Sequence, residues 1–299
     1  MIPTHPLIFG AGSFNNTQYG ADNNMDAVGA LKAAFNAGIT AIDTSAYYGD
    51  SEIIVGEALR ALSPPRDKLF LCTKAGRWED NTFDYSRESI RRSVERSLTR
   101  LGTDYLDLLL IHDVEFQSLE QGLAALDAAF ELKDQGKTRM VGFSGLPVDY
   151  LVKLATTSKE RSRPVDAVLS YCNLTIQNTT LKQNIPAFEA AGVKLIINAS
   201  PLGMSLLRSG TIHDWHPASP QLKARSQQIA NKLSAQGVEL ADIAQQYSFS
   251  QWSPTVIGMR NPHEVAAALK NLDKSRNPPE QLFNLVQTEY GDYLNTLWE

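Results

Sequence analysis

Apolar and polar positions along the chain fall into two alternating patterns. Short runs that are apolar throughout occur at 7–10 (LIFG), 40–43 (TAID), 69–73 (LFLCT) and 105–112 (YLDLLLIH), then at 139–144, 165–171, 193–200 and 254–259. Runs without alternation suit parallel strands covered on both faces. Between them lie segments of helical period, such as 25–37, 86–101 and 119–134. In the last, Leu119, Leu123, Leu126 and Phe130 recur at steps of three and four and mark one apolar face. Eight strand–helix units in one chain predict an α/β fold, a closed (β/α)8 TIM barrel. The rival is an open doubly wound sheet, but FGAGSF carries glycines only at 10 and 12, short of a G-x-G-x-x-G fingerprint. No linker interrupts 1–299, which reads as one barrel domain. The Pro- and Gly-rich stretch 201–220 is placed as the long loop after the seventh strand, and an extra helix is expected at about 280–297.

Composition narrows the function classes. A net charge of −5 lacks the basic stripe that nucleic-acid binding needs. The start MIPTHPLIFGAGSF does not read as a signal peptide. No apolar run approaches the ~20 residues that span a bilayer. A cytoplasmic protein is expected. Cys72 and Cys172, the two cysteines, both sit inside apolar runs and read as buried thiols. Five histidines without an H-x-H or H-E-x-x-H pair give little support to a metal-dependent hydrolase, and no metal is expected.

In a barrel, chemistry collects at the carboxyl ends of the strands. Those ends carry Asp43, Lys74, His112, Ser144, Asn173 and Ser200, with Tyr48 five residues past Asp43. A lysine cation near a phenol favours the phenolate and lowers its pKa from ~10, which makes a proton relay near neutrality. Asp43 would hold Lys74 charged, and His112 would orient a substrate oxygen. Each has a plainer reading. Asp43 could cap a helix, Lys74 could be a solvated loop lysine, His112–Asp113 a structural pair or half a metal site, and Tyr48 a packing residue. Their joint placement on successive strand ends favours the catalytic set.

The stretches AIDTSAYYGDSEIIVGEAL and SVERSLTRLGTDYLDLLLIHDVEF resemble two signatures of the aldo-keto reductases. LCTKAG and VIGMRNPHEV are similar to that family's lysine segment and its last cofactor segment. The resemblance implies a catalytic tetrad of Asp43, Tyr48, Lys74 and His112. It also implies a nicotinamide dinucleotide extended across the barrel mouth. Its contacts would be Gly12, Ser13 and Phe14 after strand one, Ser144 and Gly145 after strand five, and Ser170 and Asn173 at strand six. Ser200, Pro201, Leu202 and Gly203 would follow strand seven, and Gly258, Met259, Arg260 and Glu264 strand eight. Phe14 and Asn15 are also weaker candidates for the substrate side. The runs 9–19, 111–116, 170–181 and 200–223, with WHPASP at 215–220, resemble the branch holding L-galactose dehydrogenases and NAD-dependent D-arabinose dehydrogenases. That branch implies oxidation of an aldose at its anomeric carbon to the lactone, on the route to ascorbate or its five-carbon analogue.

The chain departs from the family in three places. Gly145 follows Ser144 where many members have Asn, Ala199 stands where an aromatic residue usually stacks on nicotinamide, and an apolar residue replaces a glutamine on strand six. Glu264 falls near the place where NADP-using members carry an Arg. A carboxylate there would accept from a ribose hydroxyl and repel a 2′-phosphate, so NAD is expected, with NADP the alternative through Arg260. Trp78, Phe116 and Trp215 are candidate substrate walls, because flat aromatic faces suit a sugar; each could equally be loop packing. His213 and His216 read as shaping the long loop. The expected partner is a small-molecule sugar, with no nucleic acid or membrane, and oligomeric state is left open. Two other functions stay in view: an NADPH-dependent aldehyde or ketone reductase, and a cofactor-binding regulatory barrel with little turnover.

Overall fold

The structure, a computed structural model, describes residues 2–14, 24–79, 82–252 and 254–298; Asn15 lies outside them. The strands are β1 Leu7–Gly10, β2 Ala41–Asp43, β3 Phe70–Ala75, β4 Arg77–Glu79, β5 Thr82–Phe83, β6 Leu106–Ile111, β7 Thr138–Gly145, β8 Ala167–Tyr171, β9 Leu195–Ala199 and β10 Thr255–Gly258. Eight of them close into a parallel barrel in the order β1-β10-β9-β8-β7-β6-β3-β2. These are the eight apolar runs of the sequence. The pair β4–β5 is an antiparallel hairpin in the loop after β3 that no apolar run announces.

The helices are α1 Ala27–Asn36, α2 Ser51–Leu62, α3 Arg87–Leu101, α4 Leu119–Asp134, α5 Val148–Glu160, α6 Thr180–Ala190, α7 Pro220–Ser234, α8 Leu240–Gln251, α9 Pro262–Lys274 and α10 Glu280–Tyr290. Their starts are written in the sequence. Ser118 and Gln121 form a capping box at α4, and Ser219 caps α7 ahead of Pro220. Asn261 accepts from the Glu264 backbone N–H and caps α9. Two helices, α7 and α8, separate β9 from β10. The helix expected at about 280–297 ends at Tyr290, followed by a 3-10 turn over Gly291–Tyr293.

Burial separates two apolar layers. Alternate strand residues, including Ile8, Phe70, Cys72, Leu108, Leu110 and Leu169, fill the barrel. The intervening ones, including Phe9, Leu71, Leu109 and Phe143, pack outward under the helices. Both faces of each strand are therefore dry, which is why the runs are apolar throughout. Cys72 and Cys172 are buried free thiols. Among the described residues, no helix is long and apolar enough to cross a membrane, and no three His, Cys, Asp or Glu side chains converge as a metal site requires.

Candidate active site

The inward-facing series of several strands turns polar at its carboxyl end. Phe70 and Cys72 are followed by Lys74, Leu108 and Leu110 by His112, Ala41 by Asp43, and Leu169 by Tyr171. Parallel register brings these ends level, with Gly10 opposite Asp43, Asp43 opposite Cys72 and Lys74 opposite Leu110. They line a cavity of about 480 Å3 across the barrel mouth, with Asp43, Tyr48, Lys74 and His112 all in its wall.

Lys74 Nζ donates to Asp43 Oδ1 at 2.6 Å and to the Thr44 carbonyl at 2.9 Å, and lies 4.8 Å from the centre of the Tyr48 ring. Burial alone would depress the ammonium, but Asp43 and then Tyr48 outweigh it, and the pKa is raised above that of an ordinary lysine. A fixed cation is thus held against a phenol. The His112 ring meets Tyr48 edge-on, centroids 5.6 Å apart. Its pKa is held well below the ordinary value, first by burial and then by the Lys74 and Arg77 cations, so the imidazole is neutral at pH 7. Ser45 Oγ lies 3.1 Å from His112 Nδ1 and accepts from the Tyr47 backbone N–H. A Ser45 hydroxyl that donates to Nδ1 would place the ring proton on Nε2. Ser45 carried no sequence signal, because it matters only once His112 arrives beside it.

The cavity holds most of the expected cofactor contacts. Gly12, Ser13, Ser144, Ser200, Pro201, Leu202, Gly258, Arg260 and Glu264 line it. Two features fit a dinucleotide. Asp43 Oδ2 is buried without a hydrogen-bond partner among the described residues, as an acceptor awaiting a ribose hydroxyl would be. A Cβ on Gly12 would come within 3.2 Å of the Tyr48 ring, so glycine keeps that passage open. The remaining candidates sit elsewhere. Phe14 packs on Phe9 in the core, and Met259 is fully buried. Ser170 and Asn173 are spent on each other, Asn173 also donating to the Leu146 carbonyl. The Gly203 carbonyl pairs with buried His216, whose Nδ1 accepts from Ala218, so this histidine does shape the loop. Gly145 faces Glu115 instead, and a Cβ there would meet Glu115 Oε2 at 2.4 Å.

None of the three aromatic candidates lines the cavity. Trp78 donates to Ser89 Oγ at 2.7 Å and is flanked by Arg92 and Arg96. Phe116 stacks on Phe83 of β5 at 4.9 Å, a partner supplied by the unforeseen hairpin. Trp215 stacks on His213, and it is His213 that reaches the cavity. The wall instead gains Tyr47, Arg77, Asp113, Tyr171, Arg208 and Gln245. Glu264 is also not the free carboxylate that its place in the sequence suggests. Arg260 Nη2 and Nε reach its Oε1 at 2.9 and 3.1 Å, and the Arg260 backbone N–H reaches Oε2 at 2.8 Å.

Behind this wall Glu115 is pushed up to about 7 from an ordinary 4.5, by burial and then by the Asp113 charge, although it accepts from the Leu146 N–H at 2.8 Å. A folded-state value above the unfolded one means the carboxylate costs nothing below pH 4.5, a growing amount between pH 4.5 and about 7, and a constant amount above that. Glu115→Gln is therefore expected to stabilise the fold at pH 8.5, by up to about 3 kcal/mol, and to give no gain at pH 4. Thermal melts at both pH values check this; an equal shift at both would disprove the linkage.

The carboxyl mouth of the closed parallel barrel thus carries a buried Asp–Lys pair, a tyrosine and a neutral histidine within one cavity. The profile of the Aldo/keto reductase family matches residues 6–286, and the chain belongs to that family of NAD(P)-dependent oxidoreductases. It is 41% identical over 277 residues to the D-arabinose 1-dehydrogenase of Saccharomyces cerevisiae, covering 90% of this chain and 83% of that one. It is 39% identical to the L-galactose dehydrogenase of Arabidopsis thaliana, covering 97% and 92%. An aldo-keto reductase from Bacillus halodurans in its holo form superimposes with a TM-score of 0.71 at 21% identity, over 98% of this chain and 94% of that one, a likeness of fold.

Proposed function

We propose that this protein is an NAD-dependent aldose 1-dehydrogenase that oxidises the anomeric carbon of D-arabinose- or L-galactose-type sugars to the aldonolactone. The observation that carries the reading is the buried Lys74 ammonium, fixed on Asp43 at 2.6 Å and set against the Tyr48 ring at 4.8 Å. The two relatives of about 40% identity, both named as sugar dehydrogenases, support the substrate class.

The dinucleotide, when bound, supplies the hydride acceptor. Gly12, Ser144, Ser200 and Gly258 would hold it, with Arg260 and Glu264 at one end. Tyr48, favoured as phenolate by Lys74, takes the proton of the C1 hydroxyl while Asp43 keeps Lys74 charged and in place. His112 donates from Nε2 to the same oxygen and fixes its angle. Its neutrality keeps it from adding a cation that would oppose loss of a hydride. Because the ring oxygen is already on C1, oxidation of the cyclic form yields the lactone directly.

The preference for NAD rests on the Arg260–Glu264 pair. A guanidinium already neutralised by a carboxylate four residues on is a poor receptor for a phosphate dianion. Glu264→Gln is expected to raise kcat/KM for NADP relative to NAD by about tenfold. An unchanged ratio would remove the pair from cofactor choice.

The test of function is the initial rate with D-arabinose and with L-galactose, each against NAD and NADP, following the reduced cofactor. Turnover with NAD and either sugar is expected. Reduction of simple carbonyls by NADPH without sugar oxidation would replace the proposal with a reductase, and cofactor binding without turnover would replace it with a regulatory barrel.

A further inference from the structure

The cavity carries an ion pair for which the proton relay has no use. Asp113 follows His112 with a left-handed backbone, φ +53°, unusual for a residue with a side chain. The Tyr85 hydroxyl pins that turn by donating to the carbonyls of both His112 and Asp113. The turn sends the Asp113 side chain back into the mouth, where Oδ2 lies 3.6 Å from His112 Nε2. Arg77 meets it from the start of the β4–β5 hairpin, pairing with Oδ2 while its guanidinium lies 3.9 Å over the Tyr47 ring. Both side chains line the cavity, and Asp113 is only 5% exposed.

Buried ion pairs contribute little to stability, and an apolar wall of the same shape would serve the fold equally well. Such a wall would also serve a simple carbonyl, whose one polar atom is already met by Tyr48 and His112. A donor and an acceptor beside that position match a substrate with a second polar group one carbon away.

We propose that Arg77 and Asp113 read the hydroxyl adjacent to the reacting carbon, Asp113 accepting from its O–H and Arg77 donating to its oxygen. This rests on the aldose reading above and specifies it: the recognised class is the α-hydroxy carbonyl compound or its cyclic hemiacetal, not carbonyls in general. The spacing supports the assignment. An oxygen held on His112 Nε2 has Asp113 as its immediate polar neighbour, so the C2 hydroxyl, not a remote one, meets the pair.

The test compares kcat/KM for D-arabinose with that for 2-deoxy-D-ribose, which is arabinose without its C2 hydroxyl. A second arm runs in the reductive direction with lactaldehyde (2-hydroxypropanal) and propanal, which differ only by the C2 hydroxyl. Each ratio is measured for the wild type, Asp113→Asn and Arg77→Lys. The wild type is expected to favour the hydroxylated partner by about 10- to 100-fold, because its loss leaves the pair unmatched. That ratio should fall towards one in Asp113→Asn and by a smaller factor in Arg77→Lys. A wild-type ratio near one overturns the proposal without recourse to any variant, and so does a ratio that survives both substitutions. If no sugar is oxidised but the lactaldehyde preference is large and is lost in Asp113→Asn, the aldose dehydrogenase reading fails and the hydroxyl reading stands.

Discussion

Tyr48→Phe is expected to lower turnover by about 10²–10⁴-fold while leaving cofactor affinity and the melting temperature close to those of the wild type. The substitution removes one oxygen and keeps the ring, so the edge contact with His112 and the ring's place over Lys74 survive. What goes is the group proposed to take the hydroxyl proton. His112 cannot replace it: burial with two nearby cations makes the ring a poor base. The remaining rate should lose the pH dependence that a phenol imposes. Cofactor titration by fluorescence and steady-state kinetics separate the two effects. A variant with full activity would end the relay as proposed, whereas one that had lost cofactor binding would make Tyr48 a wall of the cofactor site.

The barrel was legible because burial on both faces leaves a simple trace, an apolar run without alternation, and eight such runs became the eight barrel strands. The meeting of Asp43, Lys74 and His112 at the mouth was legible for a related reason. Where an inward-facing series of apolar residues ends on Asp43, Lys74 or His112, the polar residue must face the mouth. Arg77, Asp113 and Glu115 could not be found that way. Asp113 reaches the cavity only because its backbone turns left-handed, and Arg77 only because a two-stranded hairpin follows β3. The same hairpin explains the misplaced aromatic wall. Phe116 looked available until β5 supplied Phe83 to stack on it, and Trp78 until Ser89 took its N–H. Loop aromatics carry no periodicity, so sequence cannot tell which surface they cover. Similarly, Glu264 reads in the sequence as a carboxylate placed for a ribose hydroxyl, but its engagement by Arg260 depends on the Asn261 cap that starts α9 just there.

Lys74→Met separates the structural share of this site from the chemical one. Methionine can follow the lysine stem, so packing inside the barrel changes little, but the Asp43 carboxylate loses its cation in a site where it is 5% exposed. Leaving a buried charge unpaired costs about 3–5 kcal/mol. The Thr44 carbonyl also loses its donor. The variant is therefore expected to melt well below the wild type and to be inactive, because the phenol loses the cation that favours its ionised form. The loss should shrink on acidification. An unpaired buried Asp43 would have a folded-state pKa above its unfolded one, so the variant recovers stability as pH falls through that raised value. Adding Asp43→Asn removes the stranded charge itself. The double variant is expected to regain most of the lost stability and none of the activity. Melting curves and rates across the cycle decide between two accounts of the Asp–Lys pair. Stability restored without turnover makes the pair a support for the cation that Tyr48 needs. Turnover restored in a barrel lacking both charges would show that Tyr48 needs no such cation.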